Sequence, residues 1–335
     1  MRISNNRLPV LILGLAPAIA LLLVVVSVLY GAKSIQPIDV WHAIVQFDEG
    51  NVDHQVIRHS RLPRVFGALL IGACLALSGV VMQSITRNDL ASPSLMGVLD
   101  GSVFAVTLAM IFLPSSGGGM GLIGFSLIGS ALGAALVFGL LRMLPGRGDP
   151  VTLAILGTLV GMFLNGTADA LALYYHIPQK ISFWYNARLY QLDPELIKLS
   201  LPFVLVGGLL VFGLSRSITL LSLGEEQAEG LGVRTRLVKI LAMIGVTLLS
   251  GITVAIAGKI AFIGLVIPHI ARRLAVRSTR LVLPLSAVLG GLFLAFCDIL
   301  SRFLNAPFET PIGVVTALFG VPFFLYLIKR KGGRL

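Results

Sequence analysis

Three aspartates, Asp100, Asp169 and Asp298, stand inside long apolar runs of a 335-residue chain that is 56% hydrophobic and only 12% charged. A charge at the centre of a membrane helix costs roughly 2.5–3.5 kcal/mol on insertion scales, so such carboxylates are candidates for a proton relay or for helix–helix hydrogen bonding. Asp298 has Arg302 one helical turn away, the spacing of an i,i+4 pair, and Asp100 sits in the glycine-flanked stretch GVLDGS. No covalent chemistry is legible beyond these. The five histidines (His42, His54, His59, His176, His269) form no HExxH, no serine occupies a GxSxG elbow, and no GxxxxGK[ST] is present to cradle nucleotide phosphates. Cys74 and Cys297 lie in apolar runs without disulfide or metal-ligand spacing. The sequence therefore offers no catalytic, cofactor or metal site, and ATP, if it drives this protein, binds another chain.

Recognition chemistry is better represented. Arg61 and Arg64 bracket a Leu-Pro pair at the start of one apolar run, and Arg302 closes another. They read either as side chains snorkelling to headgroups or, for Arg302, pairing with Asp298, or as an extracytoplasmic basic rim that meets acidic groups on a docking protein or an anionic substrate. Exposed ion pairs contribute about 0–1 kcal/mol, so a rim would set orientation and on-rate more than affinity. Residues 174–193 concentrate aromatic side chains with Lys180 and Arg188, as an interfacial aromatic belt or the entrance for a bulky ligand. The polar interruption 215–239, SRSITLLSLGEEQAEGLGVRTRLVK, places Glu225, Glu226, Glu229, Arg216, Arg234, Arg236 and Lys239 between two apolar runs. It has the character of a handle on which a cytoplasmic machine acts.

These residues need a membrane bundle to hold them. Such composition, with 37 glycines, excludes a soluble globular domain and points to an all-α integral membrane protein. Apolar runs long enough for the ~30 Å hydrocarbon core are expected near 9–30, 63–85, 94–113, 121–144, 150–173, 195–214, 237–257, 282–304 and 311–328, with a shorter one at 260–271 that contains Pro268. That gives about ten crossings and puts both termini in the cytoplasm, where most of the 26 basic residues then lie, as the positive-inside rule requires. The net charge of +11 thus belongs to membrane topology and not to nucleic-acid binding. The first run continues past its small residues and reads as an uncleaved anchor. No linker divides the chain, so residues 1–335 read as a single transmembrane domain with a cytoplasmic insertion at 215–239. Gly72, Ala76 and Gly79 share a spacing with Gly251, Ala255 and Gly258, compatible with an inverted repeat or with close packing through small residues.

A family resemblance now follows from RLPR (61–64), SGVVMQSITRNDLASP (78–93), LGEEQAEGLG (223–232), GKIAFIGLVIPHIAR (258–272), Asp298 with Arg302, and ETPIGVVTALFGVPFFLYLIKR (309–330). In their order and spacing these motifs resemble the FecCD-type permeases of ABC importers for iron siderophores, haem and vitamin B12. The resemblance implies a type II ABC importer bundle without an ATPase site of its own. Its implied partners are ATP-binding cassette ATPase subunits, a second permease, identical or related, and an extracytoplasmic substrate-binding protein that delivers a ferric siderophore. It assigns Leu223, Gly224, Glu225, Ala228, Leu231 and Gly232 to the ATPase contact, and Arg61, Arg64 and Arg302 to binding-protein docking. It makes Asn88 and Leu90 candidate cytoplasmic gate residues and Trp184 and Arg188 a possible ligand entrance. Two departures stand out: Asp89 replaces the usual proline of RNPLA, which loosens that loop, and Arg188 replaces a serine near the external mouth, which hints at an anionic chelate. The competing readings are vitamin B12 or haem import by the same machinery and a proton-coupled secondary transporter.

Overall fold

The computed structural model describes residues 7–31, 35–113, 119–143, 150–185, 189, 192–275, 279–305 and 308–332, and all regular structure among them is helical. The long helices are α1 (Arg7–Leu29), α4 (Leu62–Ile85), α6 (Gly119–Met143), α7 (Pro150–Tyr174), α9 (Pro194–Gly213), α12 (Thr235–Ala257), α14 (Thr279–Phe303) and α15 (Ile312–Gly332). Shorter ones are α2 (Pro37–Val45), α3 (Val52–Val56), α5 (Val98–Phe112), α8 (Pro178–Tyr185), α10 (Ser215–Leu221), α11 (Glu225–Gly230) and α13 (Ile263–Leu274). Among the described residues, seven segments suffice by length and composition to cross a membrane, and α5 and the apolar part of α15 are shorter.

Local chemistry sets the boundaries. The run expected from residue 94 begins as helix only at Val98, because Pro93 opens a single 3₁₀ turn and Gly97 takes a left-handed φ of +70° before α5 starts. Upstream, helix begins earlier than the apolar run suggests. Asn51 caps α3 by accepting from the Asp53 amide at 2.9 Å, and a π turn over Ile57–Arg61 carries the chain without a break into α4. The polar insertion splits into α10 and α11 at Gly224, whose φ of +141° is closed to most L side chains.

Packing is crosswise. Helix α4 lies against α13 and α14, while α12 lies against α5 and α6. In a bilayer, where lipid is as apolar as leucine, close backbone approach through small residues does much of the work. A Cβ on Gly72 would lie 2.2 Å from the Gly290 carbonyl oxygen, and one on Gly79 would lie 1.9 Å from that of Gly264, so α4 meets α14 and α13 at backbone contact. Buried hydroxyls add rungs: Ser102 donates to the Ser126 carbonyl at 2.9 Å, Ser126 to that of Gly251 at 2.7 Å, and Ser130 to that of Thr247 at 3.1 Å. They tie α5, α6 and α12 together at the level of Gly251.

Candidate functional site

At the N-terminal end of α4 the chain gathers its strongest charges. The π turn and the first turn of α4 present Arg61 and Arg64, and the last turn of antiparallel α14 presents Asp298 and Arg302. Arg64 Nε donates to both carboxylate oxygens of Asp298, at 2.9 and 3.0 Å, and Arg64 Nη1 reaches Glu309 at 2.7 Å. Arg302 Nη2 donates to the other side of Asp298 at 2.5 Å and to Ser27 Oγ at 2.8 Å, while its Nη1 takes the Ser27 carbonyl at 2.7 Å. Arg61 donates to the carbonyls of Val28 and Leu29 at the end of α1. All four side chains are buried, Asp298 at 1% exposure and the arginines at 6–8%. They form an internal clamp on α1, α4, α14 and the segment before α15, and not a rim of exposed cations. The i,i+4 pair is present, but Asp298 serves two arginines from opposite sides.

Some 36 Å away, at about 1.5 Å per residue along the 24-residue α4, its C-terminal end meets the polar insertion. Here Asn88 folds into a turn, its Oδ1 accepting from the Leu90 amide at 3.0 Å, and both residues are half-buried. Asp89, at the usual proline position, lies 3.9 Å from Arg272, which also donates to Ser84 Oγ at 3.0 Å and so pins α13 to the end of α4. Helix α11 is held by a small set of contacts: Ala228, wholly buried against Leu221 and Val238, an ion pair from Glu225 to Lys239, and Thr235 donating to Glu229 at 2.6 Å. The flanking Leu223 and Leu231 are 60% and 64% exposed, and Gly232 has a φ of +81°. Gly224 is buried and Glu225 exposed. The six residues assigned here by resemblance therefore share one short helix and its two hinges.

A family model for the FecCD transport family matches residues 19–330. The chain belongs to this family. It is 52% identical over 323 residues to the iron-uptake system permease protein FeuB of Bacillus subtilis (strain 168), covering 96% of each chain. Its identity to the iron(3+)-hydroxamate import system permease protein FhuB of the same organism is 46% over 305 residues, 91% of this chain and 79% of that one. Among solved structures, one described as an inward-facing conformation of a metal-chelate type ABC transporter superposes with a TM-score of 0.79 at 31% identity, covering 95% of this chain and 99% of that one.

In this FecCD chain the third polar feature lies between the two ends. Asp100, in the first turn of α5, pairs with Lys259, which follows Gly258 at the end of α12, and accepts from Asn165 Nδ2 of α7 at 2.7 Å. Gly161, one turn before Asn165, leaves room for this, since a Cβ there would meet Asp100 Oδ2 at 2.5 Å. Sequence reasoning singled out Asp100 but missed Lys259 and Asn165. The signal was available in a lysine set within GKIAFIGLV, an apolar stretch where an ammonium needs a carboxylate. Asp169 is exposed on α7 and joins neither cluster. Trp184 falls in α8 without a described side chain, and Arg188 lies outside the described residues.

Proposed function

We propose that the chain is the membrane permease subunit of an ATP-driven importer, translocating an iron(III)-siderophore delivered by an extracytoplasmic binding protein. The observation that carries this reading is α11, a two-turn helix at one end of the bundle with exposed leucines on both flanks, in a chain of the FecCD family. Its relatives FeuB and FhuB are iron-uptake and iron(3+)-hydroxamate import permeases, which supports an iron chelate as cargo. On this reading the bundle makes ten crossings, counting α5, α13 and α15, with both termini and α11 in the cytoplasm. A second permease completes the path, and two ATPase subunits seat α11 of each. The chain itself performs no covalent chemistry. ATP binding and release shift the bundle between two arrangements because the ATPases bind one of them better. Asn88 and Leu90, next to the Arg272–Asp89 contact, narrow the exit, while Trp184 and Arg188 form the entrance.

Docking of the binding protein falls to the opposite end. An incoming carboxylate there must compete with Asp298 and Glu309 for the protons of Arg64 and Arg302, and Glu309, the more exposed of the two at 28%, is the group it displaces. The test is reconstitution with the ATPase, second permease and binding protein, followed by uptake of a ferric siderophore. Uptake that needs ATP and is abolished by Leu223→Asp with Leu231→Asp is expected. Uptake driven by a proton gradient without any ATPase overturns the reading.

A further inference from the structure

Between the facing sides of α6 and α12, at the α11 end, lies a cleft of about 600 Å³. Its walls are apolar: Ala134, Ala135 and Phe138 from α6, Leu153 from α7, Met243 and Ile244 from α12. It runs from Lys239 to Thr247, about 12 Å along α12 at 1.5 Å per residue. Exposed Leu136 and Leu140 on one side and Ile240 and Ile244 on the other continue its apolar walls onto the outer surface of the bundle. Its mouth differs sharply from its walls. Among the described residues that line it, Arg87, Arg142 and Lys239 stand there with a single carboxylate, Glu225. Glu225 pairs with Lys239, and among the described residues neither Arg87 nor Arg142 is paired with a carboxylate.

We propose that this cleft is a binding site for an anionic phospholipid of the leaflet on the α11 side. The phosphate sits among Arg87, Arg142 and Lys239, and an acyl chain lies along Ala135, Phe138 and Met243. The mouth carries a net charge of +2 at the level where α4 and α6 end and α12 begins, which is headgroup level for a spanning bundle; basic pockets between transmembrane helices hold anionic headgroups. A zwitterionic lipid brings no net charge to offset it. A soluble phosphate would leave the apolar walls uncovered. Lys239 gives the site a consequence, because a lipid phosphate competes with Glu225 for its ammonium and so loosens one of the few contacts that hold α11. That consequence rests on reading α11 as the ATPase contact, whereas the lipid site does not.

The site is tested by extracting the full chain into mild detergent from membranes of equal phosphatidylglycerol and phosphatidylcholine content and counting retained lipids by native mass spectrometry. Retention of phosphatidylglycerol over phosphatidylcholine is expected. Arg87→Glu with Arg142→Glu lowers that retention roughly tenfold or more, since two favourable phosphate contacts become repulsive. Ala135→Trp, which fills the groove and leaves the charges in place, lowers it too. Equal retention of the two lipids by the native chain, or unchanged phosphatidylglycerol retention in either variant, overturns the proposal. In the assembled transporter, a benzophenone on Ala135→Cys crosslinks to lipid; a crosslink to another protein chain instead assigns the cleft to a protein interface and also overturns it. The mass measurement needs no ATPase, so its failure leaves the coupling reading intact.

Discussion

The two ends of α4 both gather charged side chains and use them in opposite ways. At the Arg64 end, the guanidiniums of Arg64 and Arg302 share the buried carboxylate of Asp298, and most of their N–H groups donate to groups of the same chain. At the α11 end, the charges are exposed or half-exposed and the apolar residues stand out: Leu223 and Leu231 flank a helix too short to be stable alone. Charges removed from water must find partners inside the fold, whereas the exposed leucines that flank α11 are, on the proposed reading, the surface offered to the ATPase. On the proposed reading both ends meet partners, the clamp through carboxylates that it must exchange and α11 through leucines that it leaves exposed.

This contrast can be broken by exchanging the fates of the two ends. Asp298→Ala leaves buried Arg302 without its carboxylate and Arg64 with Glu309 alone, and costs about 3–5 kcal/mol, read as a large drop in the thermal midpoint of the detergent-solubilised protein. Leu223→Asp with Leu231→Asp leaves that midpoint within error but weakens ATPase association by about 2 kcal/mol or more, measured by titrating the ATPase onto immobilised permease. Loss of stability in the second variant, or none in the first, erases the distinction. Ala228→Leu falls between them. The buried site has no room for three more carbons, and overpacking of about 1–3 kcal/mol is expected to appear as faster hydrogen exchange confined to α11. Lys239→Ala is the smallest change: its pair with the 46%-exposed Glu225 is worth about 0–1 kcal/mol, and the effect on ATPase affinity shrinks as salt is raised.

The boundaries of α6, α12, α14 and α15 were legible in the sequence because each is an apolar run closed by charged or conformationally special residues, such as Arg142 or Gly258. The start of α5 was not, since the turn after Pro93 and the left-handed Gly97 delay the helix without ending the apolar run. Helices α2 and α3 were missed because each is too short for a hydropathy window and depends on a local start signal, Pro37 at the first position of α2 or the Asn51 cap of α3. The Asp298–Arg302 pair follows from helical spacing alone. That Arg64, 234 residues earlier, shares the same carboxylate follows only from α4 and α14 meeting antiparallel through Gly72 and Gly290.

The sequence by itself determined that this chain lives in a membrane, where most of its long helices run and, through motifs spread over almost its whole length, which family it belongs to, because hydropathy and motif spacing are properties of the chain read in order. Only the tertiary structure decided that Arg61, Arg64 and Arg302 turn inward, that Lys259 answers Asp100, and that α6 and α12 part to leave a cleft with a basic mouth. Burial and pairing depend on which distant helices come into contact, and in a bilayer that choice is made by small residues and backbone approach, which leave little trace in the order of the residues.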